Sequence, residues 1–173
     1  MEVSINGALQ TLYVHYPTWS DGIFITEAGL GFDFNNRMYL STVASIDPTK
    51  YYRTNLLGGS ISFDIDLSKT GCGCITAFYV VGMPAVDNFG DPFKYCDAAQ
   101  RSGYFCPEFD LMEANKYSFR ANAHRCDAPS STGAFTNCDR DGQCSVDVLL
   151  NESKNDFGPG WFYTINTMAA FTV

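Results

Sequence analysis

The chain has 173 residues, with 11 basic against 19 acidic side chains, a net charge of −8 and 15% aromatics. That length suits a single domain over 1–173, able to bury roughly 70% of its unfolded surface. No basic patch can neutralise phosphates and no stretch is long enough to span a bilayer, so neither nucleic acid nor membrane is an expected partner.

Taken in chain order, β-branched and aromatic runs recur between clusters of Gly, Pro, Asn and Asp. Alternation in Thr11-Leu12-Tyr13-Val14-His15-Tyr16 predicts a strand, with His15 a half-exposed member. The next runs are Gly22 to Phe34, Arg37 to Val43 and Ser60 to Leu67. The last of these places apolar side chains on the odd positions, as a strand with one buried face requires. Ile75 to Met83 and Trp161 to Val173 follow. No segment shows a sustained helical period with caps. The expected fold is all-β, an antiparallel β-sandwich.

Between those runs lies Cys106-Pro-Glu108-Phe-Asp110-Leu-Met-Glu113-Ala-Asn115. Burying acids in such an apolar stretch is costly unless they are paired, hydrogen-bonded or chemically employed. Glu108 and Asp110 are two apart, so on a strand they share a face, roughly 6.6 Å from each other along the chain. Glu113 is out of phase, and a single β-bulge would return it to that face. All three acids would then line one cleft. Two carboxylates across a glycosidic bond are what retaining glycoside hydrolysis needs, and a third separates their pKa values. Acidic triples also occur on solvated strand edges, and spacing by itself does not choose between these readings.

The neighbours do bear on that choice. Glu108-Phe-Asp110-Leu-Met-Glu113-Ala-Asn115 resembles the E-x-D-x-x-E-A-N signature of glycoside hydrolase family 7, the cellobiohydrolases and endoglucanases acting on β-1,4-glucans. Asn36-Arg37-Met-Tyr39-Leu40 is similar to the family's R-x-Y-L strand. Leu57-Gly58 with Ser62-Phe63-Asp64-Ile-Asp66-Leu67 resembles L-G-x-x-F-x-F-D-V-D-V. Ala77-Phe78-Tyr79-Val80-Val81-Gly-Met83 resembles A-L-Y-F-V-x-M. Tyr95-Cys96-Asp97 and His124-Arg-Cys126 resemble Y-C-D and H-P-C. Phe157-Gly158-Pro159-Gly160 and Phe171-Thr172-Val173 complete the series, so the matches span 36–173 in order. The resemblance implies a jelly-roll, concanavalin-like sandwich with Glu108 as nucleophile, Glu113 as acid/base and Asp110 as the assisting carboxylate. It implies substrate contacts for Arg37, Tyr79, Tyr95, Asp97 and His124, β-glucan as the partner, and no cofactor. Taken singly, Tyr79 reads as an ordinary strand tyrosine, Arg37 as a surface charge and His124 as a structural histidine.

Seven cysteines suggest an oxidised, extracellular protein. The spacings lack the paired CxxC of a zinc site, so no metal is expected. Resemblance to the family implies pairing of Cys96 with Cys106 and of Cys126 with Cys138. Cys72 and Cys144 match family positions whose partners lie beyond Val173, and Cys74 has no counterpart. Asn151-Glu-Ser153 is a glycosylation sequon, which fits secretion. Met1-Glu2-Val3 does not open a charged-then-apolar signal segment. Asp139-Arg-Asp141-Gly142 lacks the remaining ligands of a calcium loop and reads as a turn between cystines.

Several departures from the family pattern leave alternatives open. Ile75 replaces a polar asparagine of the family, and the short Cys96-to-Cys106 stretch lacks a long roofing excursion. That shortening implies an open groove suited to internal chain cleavage. Trp19 and Trp161 match no family tryptophan motif. The sandwich is expected to be incomplete in this chain, so that either further polypeptide or another copy covers an open sheet edge. The rival readings are a non-catalytic structural or polysaccharide-binding protein on the same fold, and a β-1,3 or mixed-linkage glucanase.

Overall fold

The structure is a computed structural model, and it describes residues 1–17, 21–26, 29–83, 93, 95–148 and 156–173. Its strands are β1 (Glu2–Ile5), β2 (Ala8–Thr11), β3 (Tyr13–His15), β4 (Ile23–Thr26), β5 (Gly29–Phe32), β6 (Tyr39–Ser41) and β7 (Asp64–Ile65). They continue with β8 (Thr76–Val81), β9 (Glu108–Asn115), β10 (Ser118–His124), β11 (Cys144–Asp147), β12 (Phe157–Gly158), β13 (Ile165–Asn166) and β14 (Phe171–Thr172). Among the described residues one 3-10 turn, Pro48–Lys50, is capped by the Asp47 carboxylate. Among the described residues no helix is long and apolar enough to cross a membrane. The chain divides into two compact units, Met1–Gly59 with Pro84–Tyr95, and Ser60–Met83 with Cys96–Val173.

The first unit is built of antiparallel pairs, β1 with β2, β3 with β6 and β4 with β5. The run from Gly22 to Phe34 is therefore a hairpin rather than one strand. The alternation from Thr11 to Tyr16 is interrupted at Leu12, which is buried and whose N–H donates to the Met1 carbonyl. His15 corrects the half-exposed expectation. It is buried, its Nε2 lies 3.1 Å from the Ala44 carbonyl, and its ring meets Tyr51 edge-on. Tyr39 stacks between Tyr51 and Phe93, and within the run Arg37 to Val43 the strand itself is Tyr39–Ser41.

The second unit holds a four-stranded antiparallel sheet in the order β11-β10-β9-β8. One face of that sheet is apolar. Met112 and Ala114 of β9 join Leu67 and Phe157 in a buried cluster, against which Phe63, Phe78 and Phe119 pack. The antiparallel pair β7–β14 covers this core, with Ile65 opposite Phe171. Each large apolar side chain buried here stabilises the fold by about 1.5–3 kcal/mol relative to exposure. From Ser60 to Leu67 the odd residues are the covered ones and the even residues are exposed, as the alternation predicts. Beyond Asp64–Ile65 the ladder continues at Phe63, which exchanges both N–H···O bonds with Val173, and it ends where the Asp66 carboxylate turns to accept the Ser68 N–H.

The last segment departs further from a single run. Asn166 Oδ1 accepts the Gly160 and Met168 N–H groups, folding the chain into turns between β12, β13 and β14. β12 and β13 pair in parallel, the one parallel pairing among the described strands. Trp161 stands 89% exposed on the first of these turns. The β9–β10 hairpin is shaped by Asn115, whose Oδ1 accepts the Tyr117 and Ser118 N–H groups while Nδ2 donates to the Cys74 carbonyl.

Candidate active site

The central strand β9 carries the three acids, and its ladder contains the register shift the site depends on. Against β8, Met112 faces Phe78 while Asp110 faces Tyr79, so Leu111 is an extra residue. Against β10 the same extra residue appears between Glu113, opposite Arg120, and Asp110, opposite Asn122. Without the shift Glu113 would fall on the face of Glu108's odd-numbered neighbours. With it, Met112 and Ala114 point to the core and Glu108, Asp110 and Glu113 share the opposite face. Residues directly opposite one another share a face, so Tyr79 on β8 and Arg120, Asn122 and His124 on β10 join the acids.

Asp110 is buried, and its Oδ2 lies 2.9 Å from His124 Nε2. Burial, then the charges of Glu108 and Glu113, push its carboxyl up to about 6, against an ordinary 3.8. Glu108 is also raised, by burial first and then by the charges of Asp97 and Glu113, although the Ala98 N–H and His124 pull the other way. Burial works to lower His124. The Asp139 carbonyl, the Asp110 hydrogen bond and the charges of Asp110 and Glu108 outweigh it and hold the imidazole above its usual range. Glu108, Asp110 and His124 thus set one another's proton affinities.

The segment before β9 holds the nucleophile candidate. The Cys96–Cys106 disulfide closes a short loop, within which the Ala98 N–H donates to Glu108 Oε2 at 3.1 Å. Asp97 is buried, accepts the Arg101 N–H through Oδ1, and its own carbonyl accepts the Cys106 N–H. After β10, Cys126–Cys138 forms the second disulfide and brings the Asp139 turn back to His124. In that turn the Asp139 carboxylate accepts the Gln143 and Gly142 N–H groups, which hold it below the ordinary carboxylate range.

Of the residues singled out in the sequence, Glu108, Asp110, Glu113, Tyr79, Asp97 and His124 all lie in the second unit, on or beside this face. Arg37 and Tyr95 lie in the first unit, where the guanidinium carbon sits 3.2 Å from the centre of the buried Tyr95 ring. Asn151 and Trp19 lie outside the described residues. Cys72, Cys74 and Cys144 are free thiols, the first and last exposed. Ile75 is exposed. Sequence reasoning passed over Asn122 and Arg120. Their signal was the alternation Arg120-Ala-Asn122-Ala-His124, which puts three polar side chains on one strand face. Arg120 reaches the Asp141 and Gly142 carbonyls at 3.3 and 3.2 Å.

No family model matches the chain. It is similar to endoglucanase EG-1 of Trichoderma longibrachiatum, 28% identical over 195 residues that cover 99% of this chain and 37% of that protein. Among solved structures it is similar to an endoglucanase I complexed with cellobiose, at 24% identity and TM-score 0.67, covering 87% of this chain and 46% of the other. It is also similar to a family 7 cellobiohydrolase of Daphnia pulex, at 21% identity and TM-score 0.65, covering 87% of this chain and 44% of that one. A cellobiohydrolase of Melanocarpus albomyces complexed with cellotetraose aligns at 22% identity and TM-score 0.60, over 98% of this chain and 49% of that one. The chain spans less than half the length of these relatives. It resembles the family 7 cellulases in sequence, and it shares the all-β sandwich fold of their solved structures.

Proposed function

We propose that this chain carries the catalytic acids of a secreted, retaining β-1,4-glucan hydrolase. The observation that carries the reading is the single face of β9 on which the Leu111 register shift unites Glu108, Asp110 and Glu113. In this reading Glu108 attacks the anomeric carbon while Glu113 protonates the departing glycosidic oxygen, leaving a glycosyl–enzyme ester. Glu113 then takes a proton from water, which displaces Glu108 and returns the product with its configuration retained. Asp110 and His124 hold a proton beside the nucleophile, and the Ala98 N–H orients it. Tyr79, Asp97 and His124 border the reacting sugar, and Arg37 and Tyr95 contact the chain elsewhere. A single catalytic domain over 1–173, secretion, glycosylation at Asn151 and action within an open groove belong to the same proposal. Two disulfides and the endoglucanase likeness support it.

Hydrolysis of a soluble β-1,4-glucan, followed by product size, tests the reading. The protein should shorten the polymer, and Glu108→Gln should fall by roughly 10³-fold or more. Gln retains an oxygen to accept the Ala98 N–H, so unchanged circular dichroism would separate lost chemistry from lost fold. Retention of glucan with turnover by neither protein would identify a binding or structural protein instead, and turnover of β-1,3-glucan alone would move the substrate.

A further inference from the structure

β10 sends Asn122 and His124 to the acid face, and Asn122 is 2% exposed. Its Nδ2 lies 2.9 Å from His124 Nε2, the nitrogen that also lies 2.9 Å from Asp110 Oδ2. Its Oδ1 has no hydrogen-bond partner among the described residues. The amide fits because position 142 is glycine, where a Cβ would overlap it; Gly142 also has φ +67, which favours glycine.

A ring nitrogen of histidine carries either a proton or a lone pair, and its partners decide which. Nδ1 lies 2.7 Å from the Asp139 carbonyl, which can only accept, so Nδ1 carries a proton. With the Asn122 Nδ2 donating, Nε2 must be the acceptor and the imidazole is neutral. The contact with Asp110 then requires the proton on Oδ2, since two facing lone pairs would repel. Reversing the amide would let Oδ1 accept from a protonated Nε2, but it would bury both Nδ2 hydrogens without partners. Orphaned buried N–H groups are rarer than under-satisfied carbonyls, so the observed orientation is the favoured one.

We propose that Asn122 is a positioning residue that keeps His124 neutral and places the proton it shares with Asp110 on Asp110, leaving Glu108 as the anionic carboxylate. The consequence for Glu108 rests on the hydrolase reading; the proton arrangement does not. The charged groups acting on the pair are Glu108 and Glu113 on β9 and Asp139 in its turn, with Asp97 acting on Glu108. Arg120 shares their face and Tyr79 lies across from Asp110. The acids by themselves favour imidazolium, and the Asn122 N–H opposes them because a donor cannot face a donor. Burial and the two glutamates raise the Asp110 carboxyl while the Asp139 carbonyl, Asp110 and Glu108 raise the imidazole, so the two groups compete for the proton and the Asn122 N–H is what tips it to Asp110.

NMR of the full chain with 15N-labelled histidine reads the arrangement directly, since the sequence has 2 histidines, His15 and His124. While the pair holds one proton, His124 should show a protonated Nδ1 and an unprotonated, pyridine-like Nε2. The imidazole should lose its second proton in the lower of the pair's two titration steps. Asn122→Leu, of similar volume but without a donor, should move that loss to the upper step, so that the imidazole titrates at higher pH. Mere loss of polar surroundings predicts the reverse, because apolar burial lowers a histidine. A protonated Nε2 in the native single-proton state, or a variant imidazole that titrates unmoved or lower, overturns the proposal. The native measurement stands even if Asn122→Leu does not fold. An unprotonated Nε2 in a protein that turns over no glucan would sink the hydrolase reading and leave this one intact.

Discussion

Asp110 shows how far the surroundings can move a single side chain. Its carboxyl is raised from 3.8 to about 6, so over that window the native state keeps a proton that the unfolded chain has released. The Asp110 contribution to stability therefore falls as pH rises through the window and is level above it. Asp110→Asn removes this dependence while keeping a neutral donor for His124. Urea midpoints of the two proteins should diverge between about pH 4 and pH 7, the variant gaining on the native protein as pH rises. Parallel midpoints across the window would rule out Asp110 as the source. The residue types of this site were legible in the sequence, because Glu108, Asp110 and Glu113 stand in one motif. The raised proton affinities of Asp110 and Glu108 were not, because burial and neighbouring charges from distant segments set them.

A strand with two opposed duties explains why β9 tolerates acids at all. One face supplies Met112 and Ala114 to the core and the other supplies the acids, and the extra residue at Leu111 lets both faces be served. The duties are separable. Met112→Ala should cost about 2–5 kcal/mol, read as a lower urea midpoint, while leaving the acid face in place. A loss below about 1 kcal/mol would mean that Met112 does not bridge the two layers. The alternation of Ser60 to Leu67 was legible because a buried face imposes it locally. The broken runs at Gly22 to Phe34 and Trp161 to Val173 were not. Turn bonds from Asn166, and the pairing of β4 with β5, outweigh strand propensity there.

Across the whole chain, seven cysteines resolve into two disulfides and three free thiols. Maleimide added to the native protein should label Cys72 and Cys144 first and the half-buried Cys74 more slowly, leaving Cys96, Cys106, Cys126 and Cys138 unlabelled until reduction. Peptide mass mapping checks this, and early label on Cys106 would mean the loop before β9 is not closed. The amino-acid sequence by itself determined the all-β class, the family likeness and the identity of the three acids. Those depend on composition, period-two alternation and residues adjacent in the chain. Only the tertiary structure decided that Glu113 joins the other acids, that Asn122 meets His124, and that Gly142 makes room for it. Each of these turns on a one-residue choice of register or a contact between distant segments, which cross-strand hydrogen bonds and core packing select and no local pattern encodes.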